Sequence, residues 1–84
     1  MSVWTIARTN VQGINCAVVS VKDHIVANGP LLEQVGRALN SQLRVPVVLV
    51  SEANRWTFGP QALIDALQHV HPQQLPWRQV HLPI

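Results

Sequence analysis

The sequence predicts an α/β domain built on a small mixed sheet, and three observations carry that expectation. Val45-Pro46-Val47-Val48-Leu49-Val50 is an unbroken apolar run of strand length with helix-patterned sequence on both sides. Such a run belongs to a strand covered on both faces, in the middle of an α/β sheet. From Ile14 onward, strand-like and helix-like segments alternate, as in crossover units. The first two strand-like segments are joined by a short link containing Gly13, the mark of an antiparallel hairpin. The expected order is ββαβαβ: a four-stranded mixed sheet, α/β with an α+β-like leading hairpin, in one domain over residues 1–84.

Each element has its own warrant. Ser2 to Asn10 alternates, with Val3, Thr5 and Ala7 on one face and Trp4, Ile6 and Arg8 on the other. After a turn at Val11-Gln12-Gly13, Ile14 to Lys22 sends Ile14, Cys16 and Val18 one way and Ala17, Val19 and Val21 the other. Asp23-His24 closes that strand. Asn28-Gly29 is a turn, and Pro30 follows at the start of a helix, where its missing N–H has no intrahelical partner to lose. Leu31, Leu32, Val35, Ala38, Leu39 and Leu43 recur at three- and four-residue spacing, giving the helix one apolar stripe. Gly36 inside that stripe costs about 1 kcal/mol relative to Ala and implies close packing. The third strand begins at Val45. Gly59-Pro60 announces a second helix through Gln61 to Val70, Pro72 stops it, and Trp77 to Leu82 is a last strand between prolines, suited to a sheet edge.

This order has a consequence for packing. Strands two, three and four, each separated by a helix, are expected to run parallel, with strand one antiparallel to strand two. In the simple strand order 1-2-3-4, two right-handed crossovers put both helices on one face and leave Val and Leu side chains bare on the other. A second copy of the chain would cover them, which predicts a homo-oligomer or another protein partner. A strand order with helices on opposite faces would need no partner.

Composition narrows the function classes. The chain has 84 residues, 48% of them hydrophobic and only 12% charged, low in charge for so small a domain. The pI near 9.5 arises from six basic against four acidic residues, a net charge of +2. Arg8, Lys22, Arg37, Arg44, Arg55 and Arg78 stand singly, without the clustered stripe that phosphate neutralisation requires, so nucleic acid is not an expected partner. No apolar run approaches the roughly 20 residues of a membrane span, and no secretory leader pattern opens the chain. With one cysteine, Cys16, and no internal disulfide framework, the expected location is the cytoplasm.

The densest polar group follows the central strand. Carboxyl ends of strands are where ligand crevices form in open α/β sheets. There the expected arrangement brings together Asp23, His24, Ser51, Glu52, Asn54, Arg55 and Trp56. The loop through Gly59 leads into a helix N-terminus, and Arg55 with the Gly59 backbone would hold a small anion, a carboxylate or phosphate. The alternative is a structural loop in which Glu52 pairs with Arg55 and Trp56 packs on the core. No catalytic residue is assigned. A Ser51-His24-Glu52 arrangement lacks the glycine pattern of a nucleophile elbow, and His69 and His71, two apart, cannot share a helical face as metal ligands. No nucleotide or calcium motif is present, so no cofactor is expected. Cys16 lies among Ala17, Val18 and Val19, where burial makes a thiol inert. The function expected from these features is a non-enzymatic self-associating or protein-interaction module, with a small anion-binding domain as the alternative.

Overall fold

A computed structural model describes residues 2–53 and 55–83. Its elements are β1 (Ser2–Val11), β2 (Ile14–Val21), α1 (Asp23–Val26), α2 (Gly29–Leu43), β3 (Val47–Ser51), β4 (Trp56–Phe58), α3 (Gln61–Leu67), a 3-10 turn (Pro72–Gln74) and β5 (Trp77–Leu82). All five strands join one mixed sheet in the order β4-β3-β2-β1-β5. The small α/β fold expected from the sequence is therefore present.

The leading hairpin is held by a two-residue loop. Val11 pairs with Ile14, leaving Gln12 (φ 52°) and Gly13 (φ 84°) between them. Positive φ at both loop positions is the turn whose twist matches that of paired strands. Asn10 braces it: its Oδ1 accepts from the Gly13 N–H at 2.9 Å, and its Nδ2 donates to Asn15 Oδ1 at 3.1 Å.

The centre of the sheet is the parallel pair β2–β3, in which Ala17 to Val21 register with Val47 to Ser51. Every residue of β3 is buried. On one face Ala17, Val19, Val21, Val47 and Leu49 pack with Val35, Leu39 and Leu43 of α2. On the other, Cys16, Val18, Val48 and Val50 pack with Leu63 and Leu67 of α3 and with Leu75. The molecule is thus three layers, with the sheet in the middle. Asn28 starts α2 by accepting the Leu31 N–H on its side-chain oxygen, and Arg44 ends it in the left-handed conformation (φ 56°).

Two details of the expected fold are corrected. The helices lie on opposite faces, not on one. The last strand does not continue past β3. It returns across the sheet to pair antiparallel with β1 at the far edge, from Ser2↔Leu82 to Ala7↔Trp77. Only α2 is a crossover between parallel neighbours; α3 leads from β4 to β5, which run antiparallel, and its Leu63 and Leu67 pack on the sheet face opposite to α2. The sheet face that would have needed a second copy is covered by α3. The high apolar content follows, because a strand sandwiched between two helical layers buries both of its faces.

Among the described residues the strand count is five, not four. Trp56-Thr57-Phe58, read from sequence as loop, pairs antiparallel with β3. Leu49 faces Phe58 while Val50 faces Trp56, so Thr57 is an extra residue at a bulge. Its hydroxyl donates to the Leu49 carbonyl at 3.2 Å. The bulge sends the two rings to opposite sides, Phe58 onto the α2 layer and Trp56 onto the α3 layer, clamping the edge of β3. The second helix ends at Leu67 rather than Val70, and Asp23-His24 opens the single helical turn α1. One turn has no periodicity to read, although its Ile25 and Val26 pack against the α2-side core.

Candidate functional site

The carboxyl ends of β2 and β3 form a rim, and it gathers part of the expected polar group. Asp23 and His24 start α1 directly after β2, and both are exposed. Ser51 ends β3, buried at 5% exposure, while Glu52 projects from the turn that follows. His24 and Glu52 line one cleft of about 480 Å³, together with Trp4, Lys22 and Ile25. Ser51 and Glu52 line a second, of about 350 Å³, with Gln73 and Trp77. Thr5 and Ser20, paired across β1 and β2, border both, so the two clefts meet at Glu52.

Of the other expected site residues, Arg55 and Trp56 adjoin the rim without lining either cleft, and Gly59 lies away from it. Ser51 and Arg55 close a tight turn: the Arg55 N–H donates to Ser51 Oγ at 3.1 Å, and the Ser51 N–H donates to the Arg55 carbonyl at 2.8 Å. Arg55 is exposed beside this turn, and among the described residues it has no ion pair with Glu52. Trp56 is half-buried against the α3-side core. Gly59 lies at the opposite end of the sheet, because β4 carries the chain back along β3. A Cβ there would stand 3.0 Å from the Val47 carbonyl and 3.1 Å from Val48 Cα, and φ is 138°. Gly59 is therefore required by a close backbone approach, and it shares no cleft with Arg55. The anion cradle expected from Arg55 and the Gly59 backbone is not assembled. Asn54 lies outside the described residues.

The rim also brings in residues not expected at this site: Trp4, Thr5, Ser20, Lys22, Gln73 and Trp77. A signal for two of them was present. Thr5 and Ser20 are polar positions that pair on the α3-side face of β1 and β2, next to the apolar pair Ala7 and Val18. Trp4 adds an unusual feature: its indole Nε1 is buried with no acceptor among the described residues. An orphaned buried donor costs about 1–3 kcal/mol unless an acceptor is supplied.

Electrostatically the rim is mixed, with Lys22 and Arg55 set against Asp23 and Glu52. Among the described residues, no group of three or more His, Cys, Asp or Glu is arranged to hold a metal ion. Cys16 lies away from the rim's polar groups, buried in the α3-side core, where desolvation pushes its thiol above the ordinary range. No helix among the described residues is long and apolar enough to cross a membrane.

Fold and rim together define a three-layer α/β domain with a polar groove at the carboxyl ends of its parallel strands. Comparison with known protein families, curated proteins and solved structures finds no match to this chain.

Proposed function

We propose that the chain is a non-enzymatic interaction module that associates with a second copy of itself along the outer edge of β5. The observation that carries this reading is topological: β5 is an end strand, paired with β1 on one side and with no strand of the described residues on the other. A strand edge presents backbone donors and acceptors that another strand can satisfy. Arg78, Gln79 and His81 are exposed along it, and Pro76 and Pro83 bracket it, limiting any added pairing to about six residues. Val3, 53% exposed, lies opposite His81 on the neighbouring strand and adds apolar surface beside the edge.

With both sheet faces covered by helices, association is not needed to bury the core. A contact of one strand edge is small, below about 1,200 Å² in total, and the dimer is accordingly weak. Light scattering across a micromolar concentration series, with hydrogen exchange read at each point, tests this. The expected outcome is a rise in mass accompanied by slower exchange at alternate β5 amides. Proline at Gln79 and, separately, at Val80 supplies the control. Alternate residues bond to opposite sides, so one of the two variants removes an outward donor and abolishes the mass increase while leaving the β1 pairing intact. A constant monomer mass with concentration-independent β5 exchange would overturn the reading.

A second reading, a small-ligand site on the rim, is favoured by one specific observation: the Trp4 indole N–H lacks an acceptor among the described residues, beside a cleft that also holds Lys22 and His24. These donors suit a small carboxylate or phosphate. Titration with acetate and with inorganic phosphate is expected to shift the Trp4 indole and His24 ring signals. Unmoved signals at both groups would remove this reading and leave the edge contact untouched.

A further inference from the structure

We propose a second anion-binding site, distinct from the rim, in the cleft between β1, β5 and the end of α2, which takes a small amphiphile: one carboxylate or phosphate on an apolar body. The cleft holds about 400 Å³ and is lined by Ile6, Arg8, Leu43, Pro76, Arg78 and Val80.

Its placement follows from strand register. Ile6 faces Arg78 across the β1–β5 pair, so they share a sheet face, and Arg8, two residues along β1, shares it too. Ile6, Leu43 and Val80 belong to the α2-side core, which fixes which face this is. Arg8 and Arg78 are therefore diagonal neighbours on adjacent strands, on an apolar floor.

Like charges on neighbouring strands repel, and a bound anion between them relieves that repulsion. The chain has only four carboxylates, and none serves. Glu33 pairs with Arg37 on α2. Asp65 accepts from Gln61 on α3, across the sheet. Asp23 and Glu52 belong to the carboxyl-end rim. Neither the Arg8 nor the Arg78 side chain has an ion pair or hydrogen bond among the described residues, and the Arg44 side chain, next in the chain after Leu43, has none either. Two guanidinium forks without acceptors among the described residues match the paired oxygens of a carboxylate or phosphate, while Ile6, Val80 and Leu43 match an alkyl or aromatic body. Charge complementarity argues for the head group and the floor argues for the tail.

The proposed dimer pairs backbone along the β5 edge, whereas Ile6, Arg8 and Arg78 share a sheet face, so binding at monomer concentrations tests the cleft separately from self-association. The test is an NMR titration at concentrations where the chain is monomeric, using hexyl phosphate, hexanoate, inorganic phosphate and hexanol. Hexyl phosphate or hexanoate is expected to bind in the millimolar range, shifting the Ile6 and Val80 methyls and the Arg8 and Arg78 Nε–H signals. The tighter of the two identifies the head group. Inorganic phosphate and hexanol, each offering half of the recognition, are expected to bind at least about tenfold more weakly. Arg8→Gln and Arg78→Gln should each cost a similar factor, with unchanged folding by circular dichroism, and added salt should weaken binding further. Lysine at either position should restore part of the affinity, because charge returns without the fork. Hexanol binding as tightly as the anions, wild-type affinity in both glutamine variants, or no shift at Ile6 and Val80 with either anion would overturn the proposal. Shifts confined to Trp4 and His24 would assign the anion to the rim instead.

Discussion

Single residues already show where the chain accepts strain. Gln12 occupies the left-handed region at the first position of the hairpin loop, which favours Asn over other non-glycine residues. Gln12→Asn is therefore expected to stabilise the fold by about 0.5 kcal/mol, read as a shift of the denaturation midpoint at constant slope. Cys16, at 2% exposure, is the complementary case of a reactive group silenced by packing. Its folded-state pKa is raised by burial. The contribution is fully present below the unfolded value and is lost as pH rises through and above about 8.5. Alkylation at pH 8 should proceed only through global unfolding, and stability should decline as pH rises past that value. Rapid labelling of native protein would show the thiol to be accessible.

At the scale of elements, the tightest fit is between α2 and the bulged edge strand β4. Gly36 faces Phe58, and a Cβ at position 36 would lie 2.7 Å from Cδ1 and 2.8 Å from Cζ of that ring. Alanine improves helix propensity by about 1 kcal/mol, yet overpacking costs about 1–3 kcal/mol, so Gly36→Ala should be neutral to destabilising by about 2 kcal/mol. Combining it with Phe58→Leu should recover part of the loss, since the smaller side chain vacates the space. Additive losses in the double variant would show that the two do not touch. Sequence reasoning saw the close approach at Gly36 but not its partner. Three residues containing a bulge follow no two-residue period, and Trp56 and Phe58, which share a parity, end on opposite faces.

For the whole molecule, the sheet is the shared wall of two cores, which makes them one cooperative unit. Leu39 packs on the α2 side and Leu67 on the α3 side, both fully buried. Each truncation to Ala should cost about 2–5 kcal/mol, against a total stability of about 4–12 kcal/mol for a chain of this length. The Leu39→Ala/Leu67→Ala double variant is expected to be unfolded at 25 °C. Each single variant should unfold in one transition by far-UV circular dichroism and tryptophan fluorescence alike. Two separated transitions would mean that the layers fold independently.

Elements that local chemistry specifies were legible in the chain. Alternation marked β1 and β2, Gly13 marked the hairpin, a Pro-led apolar stripe marked α2, and the double-faced Val47–Val50 run marked the strand buried on both sides. It also named His24, Ser51 and Glu52, because polar residues after a buried strand must lie at its carboxyl end. Only the tertiary structure decided which edge the last strand joins, and that choice placed α3 opposite α2, removed the bare face, and set Arg78 beside Arg8. The reason is physical. A strand's pattern records which of its faces are buried but not what buries them, and pairing between distant strands is selected by the packing of the whole sheet.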